Sequence, residues 1–186
     1  MVTQLPRKRF TVQQYHQMSE ASILAADDHV ELIEGEIIEM APIGSRHAAC
    51  VDRLNRLLNR RLGEQALIRV QNPLYLGERS EPQPDIAIVQ IRADYYETGH
   101  PQPQDVLLLV EVADTTLEFD RSIKTSLYAN VGIPEVWIVD LSSLAIEIYR
   151  EPSADGYKSV RRVQRNQTIS AQAFPGIDFG LVEILG

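Results

Sequence analysis

The chain reads as an α/β sandwich, a mixed central β-sheet flanked by helices, with a β-hairpin ahead of it. Three observations point there. Apolar residues recur at steps of three and four in two well-separated segments, and short Val/Ile/Leu-rich runs bounded by Pro and Gly lie between and after them. Strands and helices also fail to alternate regularly, which separates this pattern from a doubly wound fold. With 186 residues, 44% hydrophobic and 24% charged, the chain suits one domain spanning 1–186 with its own core.

Thr11 can cap a short helix from Val12 to Met18, and His29 to Met40 reads as two strands around Glu34-Gly35, where glycine tolerates the positive φ of a tight turn. From Ser45 to Leu62, Ala48, Val51, Leu54, Leu58 and Leu62 keep helical spacing, with Gly63 as the stop signal. The opposite side of that helix carries Arg46, Arg53, Arg56, Arg60 and Arg61, the pattern of a solvated helix face. Strands follow at Leu67 to Leu76, Asp85 to Ile91 and Val106 to Val112. A second helix, Glu118 to Val131, places Phe119, Ile123, Leu127 and Val131 at steps of four, with Thr115 and Glu118 as a capping box and Gly132 and Pro134 at its end. Glu135 to Asp140 and Leu144 to Arg150 form a hairpin-like pair, Lys158 to Val163 adds a strand, and the C-terminal segment is irregular. Trp137 falls in the core.

The formal net charge of −8 argues against a general polyanion binder, because phosphate affinity comes from clustered Lys and Arg. Met1 to Phe10 lacks the apolar stretch of a secretory signal, and no run is long enough to span a bilayer. The single cysteine, Cys50, excludes an internal disulfide and a cysteine-built zinc site, and reads as a small buried hydrophobe in a reducing cytoplasm.

Two carboxylates break the apolar strand pattern: Asp85, after Pro84, and Glu111, near the end of its strand. A carboxylate in a buried strand costs free energy unless it is paired or coordinates a cation. If the two strands pair antiparallel through the loop Arg92 to Asp105, both acids converge at one end of the sheet. Hard oxygen ligands there suit Mg2+ or Mn2+ and attack on a phosphate. Asp85 bonding turn amides and Glu111 pairing with an arginine is the competing account. Asp120, Lys124 and Tyr128 share one stripe of the second helix. Lys124 could point back to the acids, or pair with Asp120 as a solvent-facing salt bridge worth about 0.3 to 0.5 kcal/mol.

The ordered set Pro84-Asp85, Glu111-Val112-Ala113, Asp120-Arg121, Lys124 and Leu127 through Asp140, together with Phe10-Thr11-Val12, Glu31 through Glu36 and His47, resembles the putative restriction endonuclease family abundant in cyanobacteria, within the PD-(D/E)XK nuclease superfamily. The resemblance covers nearly the whole chain. It implies a restriction-endonuclease-like fold and a Mg2+-dependent (or Mn2+-dependent) endonuclease acting on DNA. Asp85 and Glu111 would be the metal ligands, with the backbone carbonyl of Val112 as a third. The superfamily keeps a lysine two residues after the glutamate, where this chain has Ala113, and in this family the lysine role moves to the following helix, leaving Lys124. Glu31 is the early glutamate that completes the metal shell, or else an edge-strand charge that resists aggregation. His47 binds a phosphate or supports a ligand, or is a satisfied structural histidine. Tyr95, Tyr96 and His100 in the long loop carry no assigned role. A homodimer follows from the need to cut both strands. The alternative to an enzyme is a catalytically weak or inactive nuclease-fold module that binds protein or nucleic acid.

Overall fold

The computed structural model describes residues 7–25 and 27–186; most of the segment read for a secretory signal, residues 1–6, lies outside them. Helix α1 (Val12–Glu20) starts at Thr11, whose hydroxyl accepts from the Gln14 amide while the Gln14 side chain accepts from the Thr11 amide. Strands β1 (Val30–Ile33) and β2 (Glu36–Glu39) pair antiparallel as a separate hairpin. At its turn Gly35 has φ of +80°, and the Arg9 Cβ and the Phe10 carbonyl stand 2.9 Å from where its own Cβ would be.

Helix α2 (Ser45–Leu62) ends at Gly63. Strands β3 (Leu67–Val70), β4 (Ile86–Val89), β5 (Val106–Ala113), β6 (Glu135–Asp140), β7 (Ala145–Ser153) and β8 (Gly156–Gln164) form a six-stranded sheet in sequence order. Only β5 and β6 run parallel. The expected strand Leu67 to Leu76 stops at Val70, because Gln71 takes φ of +50° and Pro73 lacks a ladder donor. The chain between β3 and β4 instead folds back on itself: the Leu74 amide donates to the Pro82 carbonyl and the Leu76 amide to the Ser80 carbonyl. Glu81 then bridges to Leu32, tying the hairpin to the segment that leads into Asp85.

Alternate sheet residues feed two cores. One packs Ile86, Ile88, Leu108, Val110 and Trp137 against Leu54, Leu58 and Leu62 of α2. The other packs Ala87, Leu109, Val136 and Ile138 against Leu127 and Tyr128. Burial of a leucine such as Leu54, wholly removed from solvent, contributes about 1.5 to 3 kcal/mol.

The second predicted helix is present as α3 (117–130) but is not regular. It runs as α-helix over Leu117–Phe119, as a π-turn over Asp120–Lys124, and as α-helix over Thr125–Asn130. Hydroxyls compete for the ladder there: Ser122 donates to the Glu118 carbonyl and Thr125 to the Arg121 carbonyl, each at 2.5 Å. The wider turn leaves Ile123 exposed and Asp120 and Lys124 buried, breaking the apolar steps of four. The expected Thr115–Glu118 capping box does not form; Thr116 is the N-cap and makes no side-chain cap bond.

The C-terminal segment is also more ordered than its sequence suggested. Strands β9 (Thr168–Ser170) and β10 (Asp178–Gly180) pair antiparallel, and helix α4 (Leu181–Leu185) packs into the α2 core. It takes over much of the arginine face of α2: Arg53 donates to the Ile184 and Leu185 carbonyls, and Arg60 and Arg61 meet Glu183. Cys50 and Trp137 are buried, as expected. Among the described residues no helix is long and apolar enough to cross a membrane.

Candidate active site

The register of β4 and β5, Ile86 opposite Val110, carries Asp85 opposite Glu111 at one end of the sheet. The antiparallel pairing of β4 with β5, the condition set for the two acids to converge, is what joins them. The Val112 amide donates to Asp85 Oδ2 at 2.8 Å and the Gln71 side-chain amide to Asp85 Oδ1 at 3.1 Å. The Asp85 amide in turn lies 3.4 Å from Glu111 Oε2. His47, in the first turn of α2, places Nε2 2.9 Å from Asp85 Oδ2, while its Nδ1 is buried without a partner among the described residues.

The π-turn delivers the cation. Lys124 Nζ stands 3.3 Å from Glu111 Oε1 and 3.3 Å from Glu31 Oε1, with all three side chains buried. Lys124 therefore lines the cavity beside these acids and is not half of a solvent-facing pair with Asp120. Glu31 faces inward too, its Oε2 accepting from the Gln83 amide at 3.0 Å, so it is not a solvent-facing charge. Asp120 is buried and accepts from the Thr116 hydroxyl at 2.7 Å. These side chains line a cavity of about 320 Å3 whose other wall is apolar, including Ile38, Met40, Ile43 and Phe119.

Electrostatically the cavity holds more carboxylate than its cations neutralise. Burial pushes the Glu111 carboxyl up to about 8; Lys124 offsets part of this, and Asp120 and Asp85 reinforce it. Burial raises Asp120 as well, against the pull of Lys124 and Thr116. For Lys124, burial alone would lower the pKa, but Glu111, Glu31, Asp120 and Asp85 outweigh it and raise it, so the amine stays charged. The hydrogen bond to Asp85 raises His47, against its burial.

Among the described residues no three His, Cys, Asp or Glu side chains form a ready-made metal cluster. The donors nevertheless suit a hard divalent cation, which takes one or two carboxylates and fills the remaining positions with water. The Ala113 carbonyl is used by the Leu141 amide on the β6 side. Strand alternation therefore turns the Val112 carbonyl toward Asp85. A dication beside Asp85 and Glu111 would also offset the surplus negative charge.

Sequence reasoning missed Gln71 and Gln83 and gave Tyr128 no task. Tyr128, fully buried, donates to Glu111 Oε1 at 2.5 Å. Gln83, held between two prolines, carried a signal in retrospect, since its amide is the one donor available in Pro82-Gln83-Pro84. Tyr95 and Tyr96 do not line the cavity: Tyr95 is exposed, and Tyr96 is buried beneath the Arg92 guanidinium, 4.4 Å from its ring centre. His100 borders a second groove beside His16 and Glu81.

A family model, Uma2, described as putative restriction endonuclease, matches residues 12–182. No curated protein matches the chain. Among solved structures, a putative nuclease belonging to DUF820 from Anabaena variabilis ATCC 29413 is similar with a TM-score of 0.72, covering 95% of this chain and 97% of its own, at 12% identity. At that identity the likeness is one of fold.

Proposed function

Because the chain belongs to the Uma2 family of putative restriction endonucleases, we propose that it is a metal-dependent endonuclease hydrolysing DNA phosphodiester bonds, with Asp85, Glu111 and Lys124 as its catalytic set. The observation that carries this reading is the meeting of two strand-end carboxylates with a buried lysine in one cavity. Asp85, Glu111 and the Val112 carbonyl would hold Mg2+ or Mn2+. When bound, the ion would polarise the phosphate and lower the pKa of a coordinated water.

The chain's own residues do the rest. Lys124, the amine that stands in for the lysine missing at Ala113, keeps its proton and offers N–H donors toward charge developing on the phosphoryl oxygens. Glu31 holds that amine from the opposite side, and Tyr128 fixes the orientation of Glu111. His47 and Gln71 fix the rotamer of Asp85. The apolar wall around Ile38 and Phe119 limits water beside the reacting group. Two such sites related by a two-fold axis would cut both strands of a duplex.

Supercoiled plasmid incubated with purified protein and Mg2+ or Mn2+ tests the reading. Nicked or linear product is expected from the wild type, and below about 1% of that rate from Asp85→Ala or Glu111→Ala, as for removal of a main electrostatic group. Undiminished cutting by both variants would sink the assignment. A wild type that never cuts, shows no stabilisation by metal and binds a protein partner tightly would favour a non-catalytic module on this fold.

A further inference from the structure

A chain of net charge −8 that acts on a polyanion needs a local source of attraction, and the arginine face of α2 is largely spent on α4. The edge strand β8 is another concentration of cations. Residues 156–165 contain Lys158, Arg161, Arg162 and Arg165 and no acid. Every ion pair that β8 makes runs from Arg162, to Asp140 and Glu147, which leaves Lys158 and Arg161 exposed without a carboxylate among the described residues.

Topology sets this strand beside the cavity. Gln164 pairs with Ala145, Ala145 with Asp140, and Asp140 with Ala113, two residues beyond Glu111. The C-terminal end of β8 therefore lies at the same end of the sheet as the carboxylates. Three strand spacings separate β5 from β8, about 14 Å, a distance that a bound duplex covers within one helical turn. Cations mark the way. Arg46 reaches from Asp114 on the cavity wall to the Leu141 carbonyl, and Arg162 donates to Ser143 in the same turn.

The charge pattern decides what lies along this edge. A second copy pairing antiparallel about Val160 would set Lys158 opposite Arg162, and about Val163 it would set Arg161 opposite Arg165; like charges directly opposite destabilise a ladder. Blocking such pairing takes a charge or two, not four of one sign with two left uncompensated. We propose that β8 is the DNA-backbone track of this protein, with Lys158 and Arg161 contacting phosphates that flank the bond cut at the Asp85–Glu111 cavity. This rests on the nuclease reading.

Anisotropy of a fluorescent 30-base-pair duplex, titrated with full-length protein in EDTA across about 50 to 200 mM salt, tests the track; melting curves check that the variants fold. Lys158→Gln combined with Arg161→Gln should weaken binding about tenfold and reduce the slope of log affinity against log salt by about two. The control pair Lys8→Gln and Arg56→Gln, also exposed cations, should leave the slope unchanged. Equal slopes for wild type and the β8 variant, or equal losses in both pairs, would overturn the track while plasmid cleavage by the wild type kept the nuclease reading. A wild type that neither binds nor cuts DNA would remove both.

Discussion

Lys124 has no solvent to fall back on. Its amine is shared by two buried carboxylates, so Lys124→Met would leave Glu31 and Glu111 without their cation. A loss of about 3 kcal/mol is expected, in the range for breaking a buried pair, read from the urea midpoint at unchanged m. Adding Glu111→Gln should restore part of it, since the second change removes one of the two carboxyls that the lysine had bridged; a double mutant no more stable than Lys124→Met would argue against the pairing. Asp140 answers to pH instead. Burial alone would raise its carboxyl, but the hydroxyls and amides of Ser142 and Ser143 bring it down to about 2. A folded pKa below the ordinary 3.8 means a contribution fully present above about pH 4 and lost as pH falls toward 2. The pH window then follows from that shift, and the contribution is about 2 kcal/mol. Unfolding free energies at pH 5 and pH 2.5 should therefore converge between wild type and Asp140→Asn. A constant gap between them would show that the turn does not hold the carboxylate.

Two elements bring distant side chains to the site, and they were not equally legible. The hairpin was: Glu34-Gly35 between two apolar runs specifies a tight turn, and its strands carry Glu31 inward. Gly35→Ala should cost more than about 1 kcal/mol, from positive φ and from contact with the Arg9 Cβ and the Phe10 carbonyl. Because Glu31 rides on this hairpin, cleavage should fall as well; an alanine variant with unchanged melting and activity would detach the hairpin from the site. The π-turn was not legible. Asp120, Lys124 and Tyr128 could be put on one stripe by arithmetic, but no local pattern says whether that stripe faces water or core. The hydroxyl bonds of Ser122 and Thr125 that widen the turn depend on side-chain geometry. Asp85 and Glu111 were legible because a charge in a buried strand is conspicuous in any register. Gln71 was not, since its approach to Asp85 depends on a positive φ just beyond a strand that sequence alone extended to Leu76. The fate of the α2 arginines was hidden for a similar reason. Nothing around Arg53 or Arg61 announces that a helix more than a hundred residues away will cover them.

At the scale of the whole molecule, the sheet, the hairpin and both helical layers all end at the same cavity, so a ligand there is linked to global stability. Asp85 comes from the entry to β4, Glu111 from β5, Glu31 from the hairpin and Lys124 from α3. Unfolding disperses all four, so an ion that needs Asp85 and Glu111 together binds only the native state and stabilises it by RT ln(1 + [L]/Kd). At a free metal concentration a hundred times the dissociation constant this is about 2.7 kcal/mol, or roughly 5 to 10 °C in melting temperature for a chain of this size. Mn2+ titrated against thermal unfolding should give that rise, with saturation. Asp85→Asn combined with Glu111→Gln should abolish it, although neutralising crowded carboxylates is expected to raise the metal-free melting temperature. The two effects have opposite signs, which separates metal binding from simple relief of repulsion. A variant as stable as the metal-bound wild type and still responsive to Mn2+ would put the ion elsewhere. An equal rise in wild type from Na+ at matched ionic strength would mean screening alone, because diffuse salt weakens repulsion among the carboxylates without needing any two of them as ligands.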